Sequence, residues 1–295
     1  MNIYNQVDSN KRKSILFLGL FLIIIISLGW LISSIYNNFV ILWIAVAVSI
    51  IQALLSYFSG DKIALAVSGA KEVAKVQSPR LWRTVENLSI TSGLPMPKVY
   101  LIDDEMPNAF ATGRDPEHAS IAVTKGLLTE MSDNELQGVI AHELSHVGNY
   151  DIRLMMIVVV LVGVIALISD LFIRFRFFGF GRDSRDNQGQ GILILISIIA
   201  AILAPIVATL IQLAISRKRE FLADSSGALL TRYPEGLASA LEKISRYKKP
   251  MENASSATSH LYIANPFGAK ESYLSKIFST HPPIAERIKI LRRME

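Results

Sequence analysis

Four stretches of this chain are apolar at almost every position. Ser14 to Tyr36 and Phe39 to Phe58 contain no charged residue. Leu154 to Ile173 carries only Asp170, and Gly191 to Ile215 carries no charge and one proline, Pro205. A bilayer-spanning helix needs about 20 predominantly apolar residues, so all four stretches qualify. A buried soluble helix rarely stays uncharged on every face. That argues against a soluble core for the first two stretches more strongly than for the last two. Only Asn37 and Asn38 separate the first pair, which predicts a tight helical hairpin.

Elsewhere the pattern changes. Residues 1 to 13 are polar and read as a short tail. Ser78-Pro79 opens a helix through Leu81, Val85 and Leu88 that Gly93 closes. Lys98 to Ile102, Asn108 to Gly113 and Ser120 to Thr124 are strand candidates, with Asp115-Pro116 as the turn between the last two. A small sheet is therefore expected just before a helix opened by the capping box Ser132-Asp133-Asn134-Glu135 and continued by Leu136, Val139 and Ile140. Residues 216 to 248 read as helical, with a second helix starting at Tyr233-Pro234-Glu235. Residues 250 to 280, rich in Ser, Ala, Asn and Gly, read as a loop or lid, and Ile284 to Arg293 as a short basic helix. The expected organisation is a tail and two-span hairpin (1–58), a first polar part (59–153), a second apolar hairpin (154–215) and a second polar part (216–295).

Composition agrees with a membrane protein: of 295 residues, 51% are hydrophobic and 19% charged, below the roughly 25% usual for soluble domains. Lys11, Arg12 and Lys13 precede the first run as they would in a signal peptide. The run is too long for that and no A-x-A site follows, so it reads as an uncleaved anchor. The absence of cysteine excludes disulfides, thiolate ligands and cysteine nucleophiles. The net charge of +5 has no basic face interleaved with aromatics, so it is read as membrane-flanking charge, and no nucleic-acid partner is expected.

The candidate chemistry lies in Ala141-His142-Glu143-Leu144-Ser145-His146, an H-E-x-x-H motif. On a helix, positions i and i+4 share a face, so His142 and His146 can point at one ion. Zinc accepts neutral imidazole. Glu143, beside the first ligand, is placed to take a proton from a water that attacks a carbonyl. The blander alternative, a surface helix with two histidines, is weakened by the capping box and by the scarcity of histidine, five in the whole chain.

A third ligand is needed. Glu220 and Asp224, in Ser216-Arg217-Lys218-Arg219-Glu220-Phe221-Leu222-Ala223-Asp224, are four apart and share a helix face. Glu220 is read as the ligand, and Asp224 as the acceptor that fixes the tautomer of a ligating histidine. In the competing reading Glu220 pairs with Arg217 or Lys218 on a solvated face.

H-E-x-x-H followed by S-R-x-x-E-F-x-A-D across two apolar segments resembles the HtpX family of membrane zinc endopeptidases, relatives of the CAAX prenyl proteases. Two N-terminal spans, Pro107 to Gly113 and Thr280-His281-Pro282 add to the resemblance, which covers nearly the whole chain. It implies an α-helical integral membrane protein with a mixed α+β zincin-like catalytic domain and one Zn2+ per chain. It also implies a place in the bacterial inner membrane, with unfolded or damaged membrane proteins as substrates in quality control under stress, and other membrane proteases as possible partners. It further implies that Asn108, Ala109 and Phe110 lie on an edge strand beside the zinc, to which an extended substrate adds. His281 is a candidate donor to the oxyanion and Arg217 a candidate for orienting Glu220 or substrate. Structural roles are equally open to both; His118, beside Asp115 and Glu117, is read as a surface-loop residue and His260 as structural.

Three ligands meeting at one ion put the two polar parts and the N-terminus on the same side of the membrane. Eleven Lys/Arg flank the spans on that side (Lys11, Arg12, Lys13, Lys62, Lys71, Lys75, Arg153, Arg217, Lys218, Arg219 and Arg232). Four flank the other: Arg174, Arg176, Arg182 and Arg185. The positive-inside rule then places the catalytic part in the cytoplasm, although the four arginines leave open whether the last two runs cross fully. Two rival readings are a protease specialised for CAAX-type prenylated tails and a non-enzymatic membrane scaffold with a vestigial site.

Overall fold

A computed structural model describes residues 3–35, 37–160, 217–255, 258–268 and 282–294. Most of the third apolar run, all of the fourth, the arginines between them and His281 lie outside the described residues.

The first two runs form long helices, α1 (Ile3–Ile35) and α2 (Phe39–Val67), that pack against each other. The turn between them uses Asn37 at φ 48° and Asn38, whose side chain accepts from the Val40 N–H as an N-cap. Both helices extend beyond their apolar runs. Residues 1–13 were expected to be a tail, yet α1 begins at Ile3, because Asn10 and Ser14 are buried against the rest of the protein. α2 runs past Phe58 because Ala64 and Leu65, on its last turns, pack into the core. Among the described residues, α2 is the one helix long and apolar enough to cross a membrane, and only 11% of its most apolar window is buried. Ile15, Leu16, Ile23 and Trp30 of α1 are likewise exposed. Such faces suit a hydrocarbon surrounding.

The polar part holds a four-stranded sheet in the order β1-β2-β4-β3, formed by β1 (Ala70–Glu72), β2 (Lys98–Ile102), β3 (Ala109–Gly113) and β4 (Ala119–Thr124). β2 and β4 are parallel; the outer pairs are antiparallel. The three predicted strands are all present, and the Asp115-Pro116 turn is a single 3₁₀ turn. β1 is an addition, too short to show a period of two. β3 and β4 are buried at every position because both faces are covered. Val99, Ala109, Ala111, Ile121 and Val123 face one core with α3 (Pro79–Ser92) and α5 (Asp133–Gly148). Ile102, Phe110 and Ala122 face the other, with Ala64 and Leu65 of α2.

A short helix α4 (Lys125–Glu130) leads from β4 into α5, which opens with the predicted capping box: Ser132 and Glu135 each accept from the other's backbone N–H. α5 stops at Gly148. Tyr150, at φ 59°, reverses the chain into α6 (residues 151–160), the buried start of the third apolar run. Beyond the undescribed segment come α7 (Arg217–Thr231), α8 (Pro234–Arg246) and, at the end, α9 (Ile284–Leu291). α7 and α8 both press on α5, and glycines permit the approach. A Cβ on Gly138 would lie 2.6 Å from Leu237 N, and one on Gly227 would lie 3.0 Å from His142 N. The two polar parts therefore share one core, with α5 at its centre.

Candidate metal centre

Eleven of the sixteen residues of α5 are buried, among them His142, Glu143 and His146. The four-residue spacing puts both imidazoles on one face, their Nε2 atoms 3.2 Å apart. α7 crosses that face and brings in Glu220, with Oε2 3.8 Å from His142 Nε2 and Oε1 3.6 Å from His146 Nε2. One ligand atom from each of the three residues falls within 4.8 Å of the others. Ligands about 2.0–2.2 Å from a tetrahedral zinc lie roughly 3.3–3.6 Å from one another, so the trio fits such an ion and leaves a fourth position open. Glu220 is fully buried, which removes the solvated-face alternative of a pairing with Arg217 or Lys218. Arg217 itself is exposed.

Each histidine keeps its other nitrogen on a carboxylate: His142 Nδ1 is 2.9 Å from Asp224 Oδ1, and His146 Nδ1 is 3.0 Å from Asp151 Oδ2. With an ion at the centre, this would place the proton on Nδ1 and aim the Nε2 lone pair at the ion. The pairing of Asp224 with a histidine follows the spacing read from the sequence. Asp151 was missed. It belongs to a different helix from His146, beyond the turn at Tyr150, where φ is 59°.

Arg287, on α9, was also missed. Its guanidinium is fully buried and grips Asp224 with two hydrogen bonds, Nη2 to Oδ1 at 2.7 Å and Nε to Oδ2 at 2.9 Å. Nη1 lies 3.6 Å from Glu220 Oε2 and donates to the Ile263 carbonyl at 3.3 Å. In the sequence it is one cation among several on a short basic helix, and nothing in that pattern distinguishes it from its solvated neighbours.

Charge at the centre is strongly perturbed. Burial pushes Glu143 up to about 7; Glu220 adds to this, while His146 and the Ala111 N–H, which donates to the carboxylate, act against it. Burial, aided by Arg287, drives His142 down to about 4 despite the Asp224 hydrogen bond. Burial also opposes charge on His146, but Asp151, Glu220 and Glu143 overcome it and push the group up to about 9. Asp224 stays below the usual carboxylate range: burial would raise it, and Arg287 and His142 outweigh burial. Four carboxylates thus converge on a site with two permanent cations, Arg287 and Arg219, an environment that still favours a divalent ion.

β3 is the edge strand nearest α5, yet the end expected to bind substrate is occupied by the chain itself. Asn108, Ala109 and Phe110 are all buried. The Ala109 carbonyl accepts from the Ile263 N–H at 2.9 Å. The Asn108 side chain donates to the Ala264 carbonyl at 3.0 Å and accepts from the Ala264 N–H at 3.3 Å. The Phe110 and Tyr262 rings meet edge to face with centroids 5.0 Å apart. The described residues between 258 and 264 are therefore a packed strap instead of a loose lid. His260 is buried with Nε2 3.3 Å from the Met155 carbonyl, and His118 is paired on the surface with Asp115.

Peptidase family M48 matches the chain over residues 75–295. A protein named Protease HtpX homolog from Caldanaerobacter subterraneus is 47% identical over 298 residues, which cover 99% of this chain and 98% of that protein. Proteins of the same name from Tropheryma whipplei and Listeria monocytogenes are 45% and 44% identical; each match covers 99% of this chain, and 98% and 100% of those proteins respectively. Among solved structures, the crystal structure of S. mikatae Ste24p superposes with a TM-score of 0.51 at 21% identity. That match covers 90% of this chain but only 62% of the Ste24p chain, and it is a likeness of fold.

Proposed function

Because the chain belongs to peptidase family M48, among its HtpX proteases, we propose that it is a zinc endopeptidase of the cytoplasmic membrane that cleaves unfolded or damaged membrane proteins. The observation that carries this reading is the convergence of two imidazole nitrogens and a carboxylate on one buried point, with a second carboxylate, Glu143, beside it.

His142, His146 and Glu220 would hold the ion. When bound, zinc supplies Lewis acidity that polarises the scissile carbonyl and makes the attacking water more acidic. Glu143 takes the proton from that water and returns it to the leaving amine nitrogen. Its elevated pKa suits a group that must both accept and donate a proton near neutrality. Asp224 and Asp151 keep the imidazoles in the ligating tautomer, and Arg287 holds Asp224 in place. The Ala111 N–H keeps the Glu143 carboxylate turned toward β3, where a substrate would lie.

Substrate is assigned to the edge of β3. The Thr124 N–H donates to the Asn108 carbonyl, so even-numbered residues of β3 pair with β4 while Ala109, Ala111 and Gly113 point outward. Since the strap occupies the Ala109 carbonyl and Glu143 takes the Ala111 N–H, an extended peptide pairs further along, with the Ala111 carbonyl and Gly113. Backbone pairing reads shape more than sequence, as a protease for unfolded chains requires. His281 is kept, on the sequence alone, as the candidate donor to the oxyanion.

The test is cleavage of casein by detergent-purified protein loaded with zinc, against Glu143→Gln at equal metal content. Cleavage by the parent alone is expected. Equal cleavage by both would trace the activity to a contaminant, and no cleavage by either would reject general proteolysis.

A further inference from the structure

The side of His146 remote from Glu220 is closed by α1, the helix whose apolar part forms the first predicted span. Asn10 is only 1% exposed, although it lies in a stretch that is polar in sequence. Its side-chain amide donates to Asp151 Oδ1 at 2.7 Å and to the Asn149 carbonyl at 2.9 Å, using both N–H groups. Its Oδ1 lies 3.4 Å from Arg219 Nη1, and Arg219 Nε lies 3.7 Å from Asp151 Oδ1. The other oxygen of Asp151 is the one on His146 Nδ1. One residue along, Lys11 stacks on the Tyr150 ring at 4.4 Å, at the reversal that presents Asp151 to the histidine. All the members of this network except Lys11 and Tyr150 are buried. An Asn side chain satisfied on three sides, 139 and 141 residues from its partners, is an expensive arrangement for a mere anchor.

We propose that Asn10 is a positioning residue of the metal centre: it holds Asp151, and through Asp151 the ligand His146, so that the membrane-anchored helix is a structural part of the zinc site. An aspartate with one oxygen on a ligand and the other free to turn holds an imidazole poorly. Asn10 and Arg219 restrain that second oxygen from two separate helices, α1 and α7. Because α1 is continuous from Ile3 to Ile35, a chain in which α1 is not seated loses this restraint. The inference rests on the assignment of His146 as a ligand.

The experiment measures zinc loss to a chelator from full-length protein in detergent, for the parent, Asn10→Ala, Asp151→Asn, the double variant and Phe17→Leu. Phe17 is a buried residue on the same helix, about two turns beyond Asn10. Removing a partner behind a metal ligand typically weakens binding about 10–100-fold. Asn10→Ala is expected to raise the zinc dissociation constant several-fold to about tenfold, and Asp151→Asn by at least as much. The double variant is expected to be no worse than Asp151→Asn, because both changes cut one chain of contacts. Phe17→Leu is expected to keep parental affinity. Unchanged affinity in Asn10→Ala, or effects of Asn10→Ala and Asp151→Asn that add fully, would overturn the proposal. So would an equal loss in Phe17→Leu, which would reduce the role of Asn10 to helix packing. Should Asn10→Ala not fold, Asn10→Ser, which keeps a donor in a shorter side chain, takes its place with the same outcomes. Failure of the ligand assignment is separable: His146→Ala would then retain parental zinc affinity, whereas a sound assignment with a failed proposal loses zinc in His146→Ala and keeps it in Asn10→Ala.

Discussion

Arg287 brings a full positive charge into the interior, fully buried, and is held there by Asp224 and Glu220. Removing one partner of such a pair leaves the other charge buried alone, at a cost of about 3–5 kcal/mol. Arg287→Leu should therefore lower the thermal unfolding midpoint sharply and speed zinc loss to a chelator. Arg287→Lys should recover little of either, since an ammonium cannot reproduce the two-pronged contact with Asp224. Parental zinc retention in Arg287→Leu would show that Asp224 needs no such support. Glu143→Gln is expected to keep zinc and reduce peptide cleavage by about 10²–10⁴-fold, the usual share of a general acid-base group. Glu220→Ala should lose the metal itself, as metal analysis after dialysis would show; full metal content would remove Glu220 from the ligand set. At this scale the meeting of His142, His146 and Glu220, the proposed ligands, was legible because one helix period links His142 with His146 and another links Glu220 with Asp224. Asp151, Arg287 and Asn10 were not legible. Each reaches the site across a chain reversal or from the far end of the sequence, where no local period signals a contact.

α7 and α8 depend on close approach to α5. Gly227 lets α7 pack against the backbone at His142. Gly227→Val should move α7 outward, reducing zinc affinity with little change in helix content, as measured by chelator competition and circular dichroism. The start of α5 is anchored through Glu135, whose carboxylate accepts from the Ser132 N–H and from Lys243 of α8, both at 2.7 Å. Burial would raise the pKa of Glu135, but Lys243 and Ser132 outweigh it and hold the group below the usual range. A depressed carboxylate stabilises the fold above its unfolded pKa, and that contribution is lost as pH falls through the folded value. The gap in unfolding midpoint between parent and Glu135→Gln should thus be widest near neutral pH and should close below about pH 4. A gap independent of pH would mean that the Lys243 contact contributes nothing. The capping box, the helix at Pro79 and three of the four strands were readable because each has a local mark: a cap, a proline or a β-branched run. The extension of α1 over residues 3–13 had none, because its helical state depends on Asn10 docking elsewhere.

For the molecule as a whole, the N-terminal end of α1 lies at the metal centre while the α1–α2 turn lies at the far end of both helices. On the positive-inside rule, the excess of basic residues read on the catalytic side of the sequence would orient this hairpin with its turn outside the cell, which is the topology we propose. The natural absence of cysteine makes the orientation easy to test. In intact cells, Asn38→Cys should react with a membrane-impermeant maleimide, whereas Lys75→Cys should react only after permeabilisation. The reverse pattern would place the metal centre outside.

The sequence by itself determined the chemistry and the membrane character. H-E-x-x-H with a distant E-x-x-x-D groups the proposed metal ligands through helical periodicity, and the two uncharged N-terminal runs of twenty or more residues specify helices for a hydrocarbon environment. Both are local properties, legible wherever the residues lie close together in the chain. The tertiary structure decided what surrounds the metal: Asp151 behind one histidine, Arg287 behind the partner of the other, a strap along the edge of β3, and the anchor helix within the site. These contacts join segments far apart in the chain. Buried charges are tolerated only where opposite charges or hydrogen-bond partners meet them, and folding alone brings such partners together.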